Sequence, residues 1–275
     1  MKCIDFDKEF QRYITAWMKQ HAKDYKNVEA MENAMPQVYA TFLDTPQSFI
    51  AGVKPGEYFL SFKDAKVLVN WLEDYFKQRV PVPDMLLNRI GELGEESVSP
   101  LLNLIHKERT PQDAKMCAVT LLREIGTEEP MQMFVDWQLA RKEDDEMADN
   151  ALECLESLGE KAYPAMREAM EKANEAGREA MLSLLCDGPS DDGLFEMAME
   201  LFENRKDNRA VLSDYLSRLG DERALPALMR AAADDTTHYL DYIELRSAIE
   251  KLGGECPERD FDDSDPMYEA LSRMQ

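Results

Sequence analysis

The sequence predicts an all-α fold of stacked helix pairs, and three observations carry that expectation. First, a short phrase ending in glycine recurs: Glu92-Leu93-Gly94, Glu124-Ile125-Gly126, Ser157-Leu158-Gly159, Cys186-Asp187-Gly188, Arg218-Leu219-Gly220 and Lys251-Leu252-Gly253. Its glycines stand 32, 33, 29, 32 and 33 residues apart, the kind of fixed period that stacked repeats show. Second, four residues before each glycine come Ile90, Leu122, Leu155, Leu184, Leu216 and Ile249, and eight before come Leu86, Ala118, Ala151, Ala180, Leu212 and Leu245. That separation lines up one apolar face of a helix ending at the glycine. Third, Pro100, Pro130, Pro164 and Pro226 follow the glycines, where a second helix would begin and a missing N–H costs nothing.

Residues 1–82 lack the period. Phe6, Phe10, Tyr13, Ile14, Trp17 and Met18 follow one helical face. A second helical stretch runs over 28–43, and Pro36 inside it predicts a kink or two shorter helices. Residues 45–62 carry Pro46, Pro55 and Gly56 together with Phe49, Tyr58, Phe59 and Phe62, and are assigned to coil. A third helix over 63–78 has Ser61 as its expected cap and Asp64 in the capping-box position. Repeat arrays need an atypical terminal unit to close their core, so this segment is read as an amino-terminal helical cap, with a small functional domain as the alternative. Pro81 and Pro83 break the chain, and Asp84 is the expected N-cap of the first repeat.

From 83 to 256 the phrases become specific enough for a resemblance. Arg218-Leu219-Gly220-Asp221-Glu222-Arg223-Ala224-Leu225-Pro226 resembles the HEAT-like repeat first described in phycobilisome lyases, and the stretches from Glu92 and Ser157 are looser copies. The fourth unit departs most, with Gly188-Pro189-Ser190-Asp191-Asp192-Gly193 in place of the usual turn. The resemblance implies a right-handed α-solenoid of five full helix pairs and a partial sixth, whose second helices form one concave surface. It says little about function, because such repeats serve unrelated roles. Residues 257–275 form an acidic tail with a short helix expected over 267–274, which either covers the last repeat or trails off.

Composition narrows the function classes. Asp and Glu number 55 against 32 Lys and Arg, a formal charge of −23, which disfavours nucleic-acid and anionic-membrane partners and favours solubility and basic partners. No apolar run is long enough to span a bilayer, and the charged start lacks a signal core. The five cysteines are scattered singly, so a reducing, cytoplasmic setting is expected. His21, His106 and His238 lie far apart and none is followed by Glu, unlike the iron-binding pairs of deoxyhypusine hydroxylase, which is built from the same repeat. The acids Asp260, Asp262, Asp263 and Asp265 could suit calcium, but an EF-hand counted from Asp260 would need a glycine at Asp265 and a glutamate at Leu271. Phosphate-binding loops and the Gly-x-Ser-x-Gly nucleophile signature are missing. No cofactor and no metal is expected.

What remains is a binding surface on the second helices. Trp137, Arg141, Arg167, Glu171, Glu200, Glu203 and Arg230 fall off the core stripe there. A tryptophan flanked by arginine is an anchor that interfaces favour, although Trp137 serves equally well as packing. Met133, Met166, Met170, Met197, Met199 and Met229 are assigned to the core. The expected function is a non-catalytic scaffold for a protein or peptide, suited to a basic one. The alternative, implied by the resemblance alone, is a bilin-lyase-like enzyme or accessory protein holding a small apolar ligand in the groove. A thiol for that chemistry would have to be Cys117, Cys154 or Cys186, which fall among apolar helix residues.

Overall fold

The computed structural model describes residues 2–262 together with Asp265, Met267, Tyr268 and Ala270. Among these, the chain forms 15 α-helices joined by short turns, and its only β-type pairing is one isolated antiparallel bridge between Gln47 and Val53. No helix is long and apolar enough to cross a membrane. The chain divides into two compact units, Met1–Pro130 and Met131–Gln275.

The first unit holds α1 (Phe6–His21), α2 (Val28–Glu32), α3 (Met35–Asp44), α4 (Ala65–Gln78), α5 (Asp84–Glu92), α6 (Glu95–His106) and α7 (Gln112–Ile125). Pro36 divides the expected second helix in two, and it occupies the first turn of α3. The stretch assigned to coil instead winds into two 3-10 turns, Ser48–Ile50 and Pro55–Ser61. Aromatic burial explains this: the tight turn lowers Phe59 to 1% exposure and sets its ring edge-on to Trp71, with centroids 5.3 Å apart. Asp64, not Ser61, caps α4. Its carboxylate accepts the Lys66 N–H at 2.9 Å, while the Ser61 hydroxyl donates to the Tyr58 carbonyl. Similarly, Pro83 is the N-cap of α5 and Asp84 stands in its first turn, where its charge still meets the helix dipole.

The chain start is tied to α4, since Tyr75 Oη donates to the Ile4 carbonyl at 2.9 Å and the Cys3 N–H donates to Gln78 Oε1 at 3.1 Å. Helix α4 packs on both α5 and α6. Helices α4, α5 and α6 therefore share one core within the unit that runs to Pro130.

The second unit holds α8 (Met131–Leu139), α9 (Glu146–Leu158), α10 (Tyr163–Met170), α11 (Glu175–Leu185), α12 (Asp192–Asn204), α13 (Arg209–Leu219), α14 (Leu225–Ala233) and α15 (Tyr239–Lys251). Consecutive helices pack along one another at α6 with α7, α8 with α9, α12 with α13 and α14 with α15, and α13 packs still more extensively on α15. Ten of the twelve residues in the predicted stripe are buried; Ala180 and Leu184 are not. In that fourth unit Met181 and Leu185 are 0% exposed instead, so the stripe runs one residue later, as if counted back from Pro189.

Gly188 explains the slip. The other five glycines of the phrase have positive φ, and Gly188 does not. It is a glycine for close approach: an added Cβ would overlap the Tyr163 ring. Pro100 also departs from expectation. It is the sixth residue of α6, because that helix starts directly after Gly94. The joint between α5 and α6 is tied by the buried Ser97 hydroxyl, which donates to the Ile90 carbonyl at 2.7 Å.

Residues after 253 cover the last helix. Tyr242 Oη donates to the Pro257 carbonyl at 3.0 Å, and Phe261 lies 5.1 Å from Tyr239 and 5.2 Å from Tyr242, ring centre to ring centre. Arg259 stacks over Phe261 and donates to the carbonyls of Asp234 and Asp235. Asp265 accepts the Tyr239 N–H at 2.8 Å. Of the helix expected over 267–274, Met267, Tyr268 and Ala270 are helical; the other positions, like Asp263, lie outside the described residues.

The two uses of glycine separate on substitution. Gly126 has φ +74° with open space where a Cβ would go, whereas a Cβ on Gly177 of α11 would overlap the backbone carbonyl of Gln138 at the α8 contact. Gly126→Ala should cost about 1 kcal/mol from the left-handed conformation alone. Gly177→Ala should cost about 2–3 kcal/mol because two helices must move apart. Urea denaturation of both variants checks the order.

Candidate functional site

The structure distributes the seven predicted binding residues, all within the second unit, over different tasks. Trp137 is half-buried on α8, its ring edge against Phe134 with centroids 5.6 Å apart. Arg141 lies beyond the end of α8 and is absorbed into the fold. It donates to the buried Gln138 at 3.0 Å and pairs with Asp149, and its own carbonyl accepts from Asn174. Arg167 on α10 is likewise engaged, reaching Asp191 and the Pro189 carbonyl and so fastening the divergent fourth turn. Glu171, Glu200 and Glu203 are exposed. Glu200 is 4.0 Å from Arg178, and Glu203 accepts from Arg230 at 3.0 Å, joining α12 to α14. Two of the six methionines assigned to the core, Met166 and Met170, are buried, and the other four are half-buried.

A cleft of ≈ 460 Å³ opens in the first unit, between α4 and α6. Helix α4 contributes Lys66, Val69, Asn70 and Glu73, spaced to share one face; α6 contributes Ser99, Asn103 and Leu104, and Lys107 follows directly after its end. Glu73 is its fixed point. The residue is 4% exposed, yet its carboxylate is fully engaged. Lys77 lies 2.6 Å away on the next turn of α4, Lys107 just past α6 donates at 2.7 Å, and the Thr110 hydroxyl donates at 3.1 Å. Burial alone would raise the Glu73 pKa, but the hydrogen bonds from Lys107 and Lys77 outweigh it and hold the carboxyl below its ordinary value. The sequence missed this site because its partners are 34 and 37 residues away from Glu73. A faint signal was there: Glu73 follows the buried Leu72 and sits four residues past the buried Val69, so it stands on an apolar face, with Lys77 one turn on.

A second cavity of ≈ 360 Å³ in the second unit is lined by α9, α11 and α13, with Glu179, Ser183, Arg205 and Tyr215 among its walls. Burial is the main reason that Glu179 titrates above the usual carboxylate range, and Arg205 opposes it. Arg205 Nη1 lies 3.3 Å from Glu179 Oε2 but is poorly aligned, so that buried oxygen gains charge attraction without a hydrogen bond. Asn208 bonds the other oxygen.

The thiols are poorly placed for chemistry. Burial pushes Cys117 up to about 11 and Cys186 to about 12, and Cys154 is 2% exposed. Among the described residues, no group of three His, Cys, Asp or Glu side chains is arranged to hold a metal ion. No protein-family model matches the chain, and no curated protein matches it significantly.

Glu73 and the half-buried Glu179 should titrate with opposite signs. Glu73, with its pKa lowered in the fold, stabilises above about pH 4.5 and loses that contribution as pH falls through its folded value. Glu73→Gln should therefore cost about 1–2 kcal/mol at pH 7, with the gap closing in acid. Glu179 has a raised pKa, so its protonated form suits the fold and its relative contribution declines as pH rises from about 4.5. Relative to wild type, Glu179→Gln should gain stability between pH 4 and pH 7. Thermal melts of both variants across that range check the two trends.

Proposed function

We propose that the protein is a non-catalytic binding scaffold. In this reading the helix pairs within each unit are HEAT-like repeats stacked as in a right-handed solenoid, and the second helices of residues 131–256 receive a basic peptide or protein segment. The observation that carries it is where the acid lies. Residues 131–275 hold 35 Asp and Glu against 16 Lys and Arg, a charge of −19, while residues 1–130 hold 20 against 16, only −4. Glu171, at the end of α10, and Glu200 and Glu203, on α12, are exposed within that acidic half. The arginines that meet Glu200 and Glu203 form surface pairs, worth about 0–1 kcal/mol each, so a cationic ligand can displace them. Half-buried Trp137 supplies an aromatic edge. The lyase-like alternative gains nothing from thiols this buried and this weakly acidic.

Fluorescence anisotropy with a labelled nonapeptide carrying alternate lysines tests the proposal. Binding should weaken about tenfold or more between 50 and 200 mM salt, and again in a Glu171→Gln, Glu200→Gln, Glu203→Gln triple variant. Trp137→Ala should weaken it further. A peptide that fails to bind, or binds the triple variant as tightly as wild type, overturns the reading.

A further inference from the structure

The cleft between α4 and α6 has the opposite sign to the surface just discussed. Its one lining acid, Glu73, is neutralised by Lys77 and Lys107 and bonded by Thr110. Its two lining cations keep capacity for a ligand. Lys66 is exposed and its ammonium meets no carboxylate among the described residues, and the Lys107 side chain is 52% exposed with donors to spare beyond the one given to Glu73. Lys66 precedes Glu73 by seven residues on α4, and Glu73 meets Lys107. At 1.5 Å rise per residue the Lys66 backbone stands about 10 Å along the helix axis from Glu73, which holds the Lys107 ammonium. Between them stand amide and hydroxyl groups, Asn70, Asn103 and Ser99, over an apolar floor of Val69 and Leu104. The Asn103 amide nitrogen already donates to the Ser99 carbonyl at 2.8 Å, leaving its oxygen as an acceptor.

We propose that this cleft docks an acidic peptide segment in extended form, one carboxylate at Lys66 and a second at Lys107. An extended chain advances about 3.3 Å per residue and sends successive side chains to opposite faces, so carboxylates three residues apart span about 10 Å and turn toward the two walls of the cleft, one to Lys66 on α4 and one to Lys107 just past α6. The amides between them would then meet the peptide backbone, and Val69 and Leu104 would take an intervening apolar side chain. A phosphodiester strand also carries negative charge, but it brings a charge at every nucleotide toward a chain of −23, whereas a short segment brings two. The site lies wholly in the first unit, whose charge is only −4 (16 basic against 20 acidic residues), and does not depend on the basic-peptide surface proposed for residues 131–256.

The test uses the full chain and a fluorescein-labelled octapeptide with two glutamates three apart, its C-terminus amidated, alongside glutamine and lysine counterparts. Anisotropy at 50 mM salt should show the glutamate peptide binding at least tenfold more tightly than the glutamine counterpart. Lys66→Gln should weaken it about fivefold or more without shifting the melting temperature, since only the Lys66 backbone N–H, which the variant keeps, is used by the fold. Lys63→Gln, just outside the cleft, should leave binding unchanged. Equal affinity for the glutamine peptide, an unaltered Lys66→Gln variant, or displacement by an equimolar single-stranded oligonucleotide would overturn the proposal. The lysine peptide and the acid-to-amide triple variant report on the other surface, so each reading can fail alone.

Discussion

A helix with one apolar stripe must find a neighbour to cover it, and in a chain of paired helices the first and last have a face left over. Much of what is irregular here answers that constraint. At the beginning, α1, α3 and the 3-10 turn over Pro55–Ser61 bring Phe6, Phe42 and Phe59 into a nearly dry aromatic cluster against Trp71 and Tyr75 of α4. Aromatic side chains suit this role, since each buries a large area and tolerates edge-on and tilted neighbours. At the other end the acidic segment after Gly253 packs on α15. Phe261 and Tyr268 meet Tyr239, while Asp265 and Arg259 satisfy backbone groups there. Charged residues can close a hydrophobic end when their charges are spent on hydrogen bonds to the chain.

The same constraint explains which parts of the fold were legible. A period-of-32 phrase and two apolar positions per helix identify the repeated unit, because burial forces those positions to recur whatever the surface does. Where the phrase misleads, glycine is serving a different need. At Gly126 the backbone is left-handed; at Gly188 it is not, and what matters is the Tyr163 ring lying where a side chain would be. Both look alike in sequence. Pro100 misleads for a related reason, since its place in the helix is fixed by how soon α6 starts after Gly94 and not by the proline itself. Likewise Ser61 and Asp64 are both able to cap, and the choice between them depends on the aromatic turn before them, which no local rule specifies.

The binding surface was less legible, and the reason is electrostatic. Position off the core stripe shows that a side chain is outside the apolar face; it does not show whether it is free. Arg141 and Arg167 were good candidates by position, yet each is engaged by carboxylates and carbonyls of neighbouring turns. Guanidinium groups are well suited to that task because five donors in a planar fork can tie several loops at once. Glu73 was passed over for the converse reason. It looks like one acid among 55, and only the return of α6 beside α4 brings Lys107 and Thr110 to it.

Charge is therefore the property that the packed helices leave adjustable. Core positions are held by packing, and the turns by backbone geometry, but exposed positions can take either sign at little cost to stability. The chain uses that freedom unevenly: nearly balanced at −4 over residues 1–130, from 16 basic and 20 acidic residues, and −19 over 131–275, from 16 and 35. Solubility alone would be served by acids spread evenly, and it does not call for a buried carboxylate spanned by two lysines in the less acidic half. Burying Glu73 carries a desolvation cost that an apolar residue of similar size would avoid. What the arrangement provides instead is position. The carboxylate holds the Lys107 ammonium at the mouth of the cleft, through a bond of 2.7 Å, while most of that side chain's remaining reach is toward solvent. A lysine left to itself would sample many rotamers and lose affinity in being ordered by a ligand. One anchored from below has already given up that freedom, which is the physical reason to look for a ligand at this cleft before any other cationic point on the surface.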